Sequence, residues 1–221
     1  MKFIIMLTNH DKTVGDAITI FEKNKDAPTN YWGFKDVGIE KDKIKKLANK
    51  MKEKGKTIFF EGIKESEKEC IESAKIAIEC EFDYFIGPIY SDSLGKILKN
   101  SGVKFFPTCG KRKGTPRMLY GTIEETINDA KRIINLGVDG ICLSVYRYMD
   151  GKPEELAEKF VKSINVPIIM SGTLNNYERL DVIKRMNPWG FTIGTAFFDD
   201  SFGGYLSVYE KTKRVIDYLN K

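Results

Sequence analysis

The sequence predicts an α/β fold: a single (β/α)8 TIM barrel, eight parallel strands with eight outer helices, over residues 1–221. Eight short apolar runs alternate with amphipathic stretches of helical period. Several of these runs are apolar at nearly every residue, as strands buried on both faces of a parallel sheet are. The length of 221 residues suits one such barrel, near the lower end of its range, and no linker or low-complexity segment marks a second domain. An open doubly wound sheet of eight strands is the runner-up.

The first strand is KFIIMLT (2–8), and residues 13–24 follow as a helix with Val14, Ala17, Ile18 and Phe21 at i, i+3, i+4, i+7. The second strand is NYWGFKD (30–36), with a helix over 40–54 that aligns Ile44, Leu47, Ala48 and Met51. KTIFFEG (56–62) leads to a helix over 67–80, and FDYFIGP (82–88) to a short one over 92–100. VKFFPT (103–108) precedes a helix over 122–136, and VDGICLS (138–144) one over 153–164. VPIIMS (166–171) precedes a helix over 176–186, and GFTIGTA (190–196) the last, over 204–219. Gly55, Gly102 and Gly137 stand where helices close in a left-handed residue. Thr122 and Glu125 form a capping box, and Pro153 takes a first-turn position.

Composition bounds the function. Some 42% of residues are hydrophobic and 30% charged, which is ordinary for a globular chain with a sizeable core. No apolar run approaches the roughly 20 residues a spanning helix needs, so no membrane partner is expected. The apolar stretch of MKFIIMLTNHD is too short for a signal peptide and lacks a small-residue cleavage site. A cytoplasmic location is therefore expected. The net charge of +5 is mild, and the lysines mix with acids along helices, so no nucleic-acid partner is expected. The four cysteines form no CxxC pair, and there is one histidine, His10. Free thiols are expected, with no cofactor and no metal. Asp11, Asp36 and Glu61 are the carboxylates that would serve Mg²⁺ if one were used.

In such a barrel the chemistry sits at the C-terminal strand ends and the loops beyond them. Those addresses read Thr8 to Asp11, Lys35 and Asp36, Glu61, Gly87 to Tyr90, Thr108 to Lys113, Ser144 to Arg147, Ser171 to Thr173, and Gly194 with Thr195. The last two addresses carry small residues. Ser171, Gly172, Thr173, Gly194 and Thr195 let backbone amides approach an anion that bulkier side chains would obstruct.

The stretch PIIMSGTLNNYERLDVIKRMNPWGFTIGTAFF (167–198) resembles the phosphate-binding (β/α)8 barrel superfamily. In that group a strand, an SGG-like turn, a helix and a GADGVVVGSAL-like strand follow in this order. It includes ribulose-phosphate epimerase, N-acetylmannosamine-6-phosphate epimerase, isomerases of histidine and tryptophan biosynthesis, and keto-deoxy-phosphogluconate aldolases. The resemblance implies a small phosphorylated substrate held by the loops after strands 7 and 8. Thr173 stands where the second glycine is usual, and its hydroxyl can itself bond a phosphate oxygen. Barrels of this group pair through their helices, so a homo-oligomer is compatible with the resemblance, although no single apolar face stands out. The loop TCGKRKGTPRMLYG reads as a mobile anion clamp carrying Lys111 and Arg112, and Arg147 joins it as a substrate contact with Tyr146.

For the reaction the candidates are Lys35, Glu61, Asp36 and His10. Lys35 and Asp36 are consecutive, so only one can face the barrel mouth. Glu61 ends the apolar run TIFFEG, where a carboxylate is tolerated at the mouth or in a pair. The functional reading is proton transfer next to a carbonyl, as in an isomerase or epimerase. The alternative is an imine on Lys35 in a lyase of the class I aldolase type. A structural Lys35–Glu61 ion pair in the top layer of the barrel is the plain reading of these two residues, and a non-catalytic barrel that binds a phosphorylated ligand is the second alternative for the function. Residues 104–107 read KFFP, as the aldolases do around their imine lysine, but Lys104 starts its strand and belongs at the opposite face. His10 beside Asp11 is a general-base candidate. Cys109, beside the basic loop, is a candidate low-pKa thiol, whereas Cys142 reads as core.

Overall fold

A computed structural model describes residues 1–221. The barrel strands are β1 (Lys2–Met6), β2 (Tyr31–Lys35), β3 (Thr57–Glu61), β4 (Tyr84–Ile89), β5 (Lys104–Thr108), β6 (Ile141–Ser144), β7 (Ile168–Ser171) and β8 (Gly190–Ile193). All neighbouring pairs are parallel, and β1 pairs with both β2 and β8, which closes the ring. The helices between them are α1 (Ala17–Asn24), α2 (Lys41–Glu53), α3 (Glu67–Glu79), α4 (Asp92–Leu98), α5 (Ile123–Ile134), α6 (Pro153–Ser163) and α7 (Tyr177–Met186), with α8 (Val208–Leu219) last. No helix is long and apolar enough to cross a membrane.

Side chains alternate across each strand, so every second residue points inside the ring. Ile4, Met6, Phe59, Ile86, Phe106, Cys142 and Ile169 form the buried inner plug. Tyr31, Tyr84 and Trp189 pack beneath it, with Phe59 stacked on Tyr84 at 4.4 Å. Gly33 belongs to this layer, because a β-carbon there would lie 2.7 Å from Met6 Sδ and 2.9 Å from Phe59 Cβ. The outward set joins the helices in a cluster of 49 buried residues.

Two residues beyond the inner plug the same inward faces become polar: Lys35, Glu61, Thr108, Ser144, Ser171 and Thr192. The period of two thus lays a polar floor directly on an apolar plug.

The expected punctuation is present. Thr122 and Glu125 exchange both capping-box bonds, Pro153 opens α6, and Gly55, Gly102 and Gly137 have φ of +65°, +87° and +90°. The helix expected over 204–219 starts only at Val208, and two further regions differ from the sequence expectation. Residues 13–16 are not helix: Thr8–Asn9 pairs antiparallel with Lys12–Thr13, and α1 starts only at Ala17. Residues 110–121 form a second hairpin, Lys111–Lys113 against Met118–Tyr120, in place of an open loop. Lys104 sits at the opposite barrel end, 3.0 Å from Asp139.

Candidate active site

The C-terminal strand ends open into a cavity of about 430 Å³. Its lining includes the polar floor together with His10, Asp11, Arg112, Arg117, Arg147, Gly172, Thr173, Gly194 and Thr195.

The hairpin after β1 shapes one wall. His10 and Asp11 form its two-residue tip, with φ of +45° and +61°. Positive φ at both central residues is the type I′ pattern, whose twist matches the flanking strands. Aspartate tolerates this conformation better than most residues. The turn brings Asp11 over the floor, where Lys35 Nζ donates to its Oδ1 at 2.6 Å. Arg147 Nη2 donates to both Asp11 oxygens, at 2.8 and 2.9 Å. Burial alone would raise the Asp11 carboxyl, but Lys35 and Arg147 outweigh it and hold the pKa down at about 2.

Lys35 and Glu61 are register partners on β2 and β3. Lys35 Nζ lies 3.4 Å from Glu61 Oε1, and their side chains are 8% and 16% exposed. Glu61 faces the cavity with no closer hydrogen bond to the chain. Gly87, at φ +90°, leaves it room, since a β-carbon there would lie 2.7 Å from Glu61 Cγ. The floor therefore holds an ammonium between two carboxylates, one firmly tied and one available.

Asp36 is not part of this group, contrary to its place among the sequence candidates. Alternation turns it outward behind the wall, where it accepts from Ser73 Oγ at 2.6 Å and the Ile63 amide at 3.0 Å. Burial pushes its carboxyl pKa up, against the pull of those two bonds. His10 lines the outer rim as an exposed side chain, and its amide donates to Thr195 Oγ1 at 3.1 Å. Lys111 points out of the cavity and pairs with Glu125 at 2.7 Å, because residues alternate along its hairpin arm and Arg112 takes the inward place. Tyr146 stacks under Arg179 at 4.4 Å and does not line the cavity. Cys109 is buried and its thiol pKa is raised by burial, the reverse of an activated nucleophile. Cys142 lies in the inner plug, and burial likewise raises its thiol to about 11.

Ser171, Gly172, Thr173, Gly194 and Thr195 all border the cavity. Gly172 and Thr173 are consecutive left-handed residues, at φ +86° and +54°. For a β-branched residue that conformation is an outlier costing about 1–3 kcal/mol, the kind of strain that collects at ligand sites. The amides of Gly172, Thr173 and Gly194 donate to no backbone or side-chain acceptor. Gly194 has a further reason to be small. A β-carbon there would lie 2.4 Å from Thr8 Oγ1, so the first hairpin packs directly on the end of β8.

Arg112 reaches inward from the second hairpin, and its Nη2 donates to Ser144 Oγ at 2.9 Å. Ser144 Oγ lies 3.1 Å from Ser171 Oγ, which carries the contact to the loop after β7. The residue is half-buried as a whole, yet Nε and Nη1 are out of solvent and have no partner. Burial lowers the guanidinium pKa from its ordinary value. A buried cation with free donors is costly unless an acceptor arrives. No group of three or more His, Cys, Asp or Glu side chains is arranged to hold a metal ion.

Thr108 and Ser144 were visible in the sequence only as strand-end addresses, and Asp11 only as a carboxylate suited to Mg²⁺ and a neighbour of His10, not as the partner of Lys35 and Arg147. Arg117 and Thr192 also line the cavity. Thr192 could have been found from the inward alternation of β8, while Arg117 depends on the hairpin, which no turn signal revealed.

No protein-family model matches the chain, and no curated protein matches it. Solved structures do match. Orotidine 5'-phosphate decarboxylase from Pyrococcus horikoshii is similar at 14% identity and TM-score 0.71, covering 99% of each chain. The 3-hexulose-6-phosphate synthase from Salmonella typhimurium matches at 11% identity and TM-score 0.71, over 100% of this chain and 99% of that one. N-(5'-phosphoribosyl)anthranilate isomerase from Pyrococcus furiosus matches at 16% identity and TM-score 0.64, over 100% and 98%. At these identities the likeness is one of fold: the chain is a closed eight-stranded α/β barrel of the kind these enzymes share.

Proposed function

We propose that the chain is an enzyme acting on a small phosphorylated carbonyl or sugar compound, by proton transfer next to the carbonyl, as isomerases and epimerases do. The observation that carries this reading is the Lys35–Glu61 pair, 3.4 Å apart on the floor of the cavity. Glu61 is the base: its carboxylate borders the cavity and is held only by that longer contact. Lys35 is the acid. It donates to the carbonyl oxygen as negative charge develops there. Asp11 is a positioning residue that aligns Lys35 and Arg147. The phosphate is held by the free amides of Gly172, Thr173 and Gly194, with Arg112 and Arg147 beside them. The names of the similar structures include a phosphate or phosphoribosyl group in each of the three cases, which supports that part of the reading.

The ion-paired state of Lys35 favours this chemistry over an imine, since an ammonium has no lone pair to attack a carbonyl. The test is a panel of phosphorylated aldoses and ketoses followed by NMR with the wild type, Glu61→Gln and Lys35→Met. Conversion by the wild type should fall by about 10²- to 10⁴-fold in each variant, the range of one general acid or base. A borohydride-reducible adduct on Lys35 would replace this reading with the lyase. Binding of phosphate compounds without turnover of any of them would leave a non-catalytic barrel.

A further inference from the structure

We infer that the ligand of this cavity carries a second anionic group, a carboxylate, at the end away from its phosphate, and that Arg117 recognises it. This rests on the phosphate reading above.

Arg117 is the last residue of the turn of the second hairpin, just before its return arm, and its Nη2 donates to the Lys64 carbonyl at 2.5 Å. Lys64 belongs to the loop after β3. In the closed ring β3 lies diametrically opposite β7, four strands away in either direction. The hairpin therefore spans the mouth. Arg112, on its outgoing arm, is tied to Ser144 at the end of β6, and Arg117 is tied to the loop beyond β3. Arg112 holds Ser144, against which Gly172 packs (a β-carbon there would lie 3.2 Å from Ser144 Cβ), while Arg117 is anchored to the loop beyond β3 on the other side of the ring.

Arg117 Nη1 is out of solvent and has no partner, although the residue lines the cavity. Neither Arg112 nor Arg117 has an ion-pair partner in the chain, in contrast to Arg147, which Asp11 neutralises. An unmatched buried donor on a cation is the complement of an anionic acceptor. One phosphate at the Gly172 cradle does not serve both ends of the mouth. The group at Arg117 is small in charge, because Glu61 and Glu65 border the same cavity. A phosphoryl group would bring about two negative charges next to them, and a carboxylate brings one. The ligand is thus a phosphorylated carboxylic acid, with the Lys35–Glu61 floor between its two anionic ends.

Calorimetric titration of the full chain with phosphoglycerate and with glycerol phosphate, at one fixed salt concentration, tests this. The two probes share the phosphate and the three-carbon skeleton and differ in the carboxylate. Phosphoglycerate should bind about 10- to 100-fold tighter, the range that one charge-assisted hydrogen bond supports. Arg117→Gln should remove that preference, and Arg117→Lys, which keeps the charge, should retain part of it. Equal affinities for the wild type overturn the inference while leaving the phosphate site standing. Failure of both probes to bind overturns the phosphate site and this inference with it.

Discussion

Asp11 lies 24 residues before Lys35 in the chain, yet its Oδ1 accepts from Lys35 Nζ at 2.6 Å and also holds Arg147. A two-residue turn with no glycine makes this contact, linking the loop after β1, the end of β2 and the segment after β6 through one carboxylate.

The acid limb of stability should report that contact. The folded pKa of Asp11, about 2, is below its ordinary 3.8. A depressed carboxyl stabilises the fold above the unfolded value, and the contribution is lost as pH falls through the folded value. Asp11→Asn should therefore cost stability near pH 7, on the order of 1–2 kcal/mol after allowance for its partial exposure. The cost should shrink between 3.8 and about 2. Urea unfolding of both proteins across that range checks it, and a cost independent of pH would refute the assignment.

Gly194→Ala tests the packing of the first hairpin on β8. The new β-carbon would meet Thr8 Oγ1 at 2.4 Å, and overpacking of this kind costs about 1–3 kcal/mol. Thr8→Ala in the same chain removes the opposing atom and should recover part of the loss. If Gly194→Ala melts at the wild-type temperature, the explanation of this glycine is wrong.

Asp36→Ala should behave as a structural change. It strands the Ile63 amide and the Ser73 hydroxyl behind the barrel wall, at a cost of about 2–3 kcal/mol. The folded fraction should turn over substrate like the wild type, since Asp36 does not border the cavity. A fall in turnover number to the level of Glu61→Gln would place Asp36 back in the chemistry.

The regular part of the fold was legible because it follows from periodicity. All eight barrel strands fall within or overlap the apolar runs, and each helix stripe found its core. That Glu61 and one of Lys35 and Asp36 reach the barrel mouth was legible for the same reason, since these residues end strands whose faces alternate. Asp36 shows the limit, because consecutive residues need one strand phase to be known before they can be told apart. The two hairpins were not legible. TNHDKT lacks the Asn-Gly signal of a type I′ turn, and Val14 just beyond it continues the spacing of Ala17, Ile18 and Phe21 backward toward the hairpin. GKRKGTPRMLYG offers charge and two inner breakers, Gly114 and Pro116, so it reads as open loop although its arms pair. Gly194 was read for a ligand alone, whereas a hydroxyl from 186 residues earlier already fills the space its side chain would need. Contacts at that separation leave no local trace.

The most direct test of the central claim, that Glu61 and Lys35 move a proton next to a carbonyl, is solvent exchange. The wild type is incubated in D2O with a phosphorylated carbonyl compound that it converts, and the carbon beside the carbonyl is followed by NMR. The account predicts deuterium at that carbon, and Glu61→Gln should slow its appearance by about 10²- to 10⁴-fold. Conversion with no deuterium at that carbon, or exchange at an undiminished rate in Glu61→Gln, would contradict it.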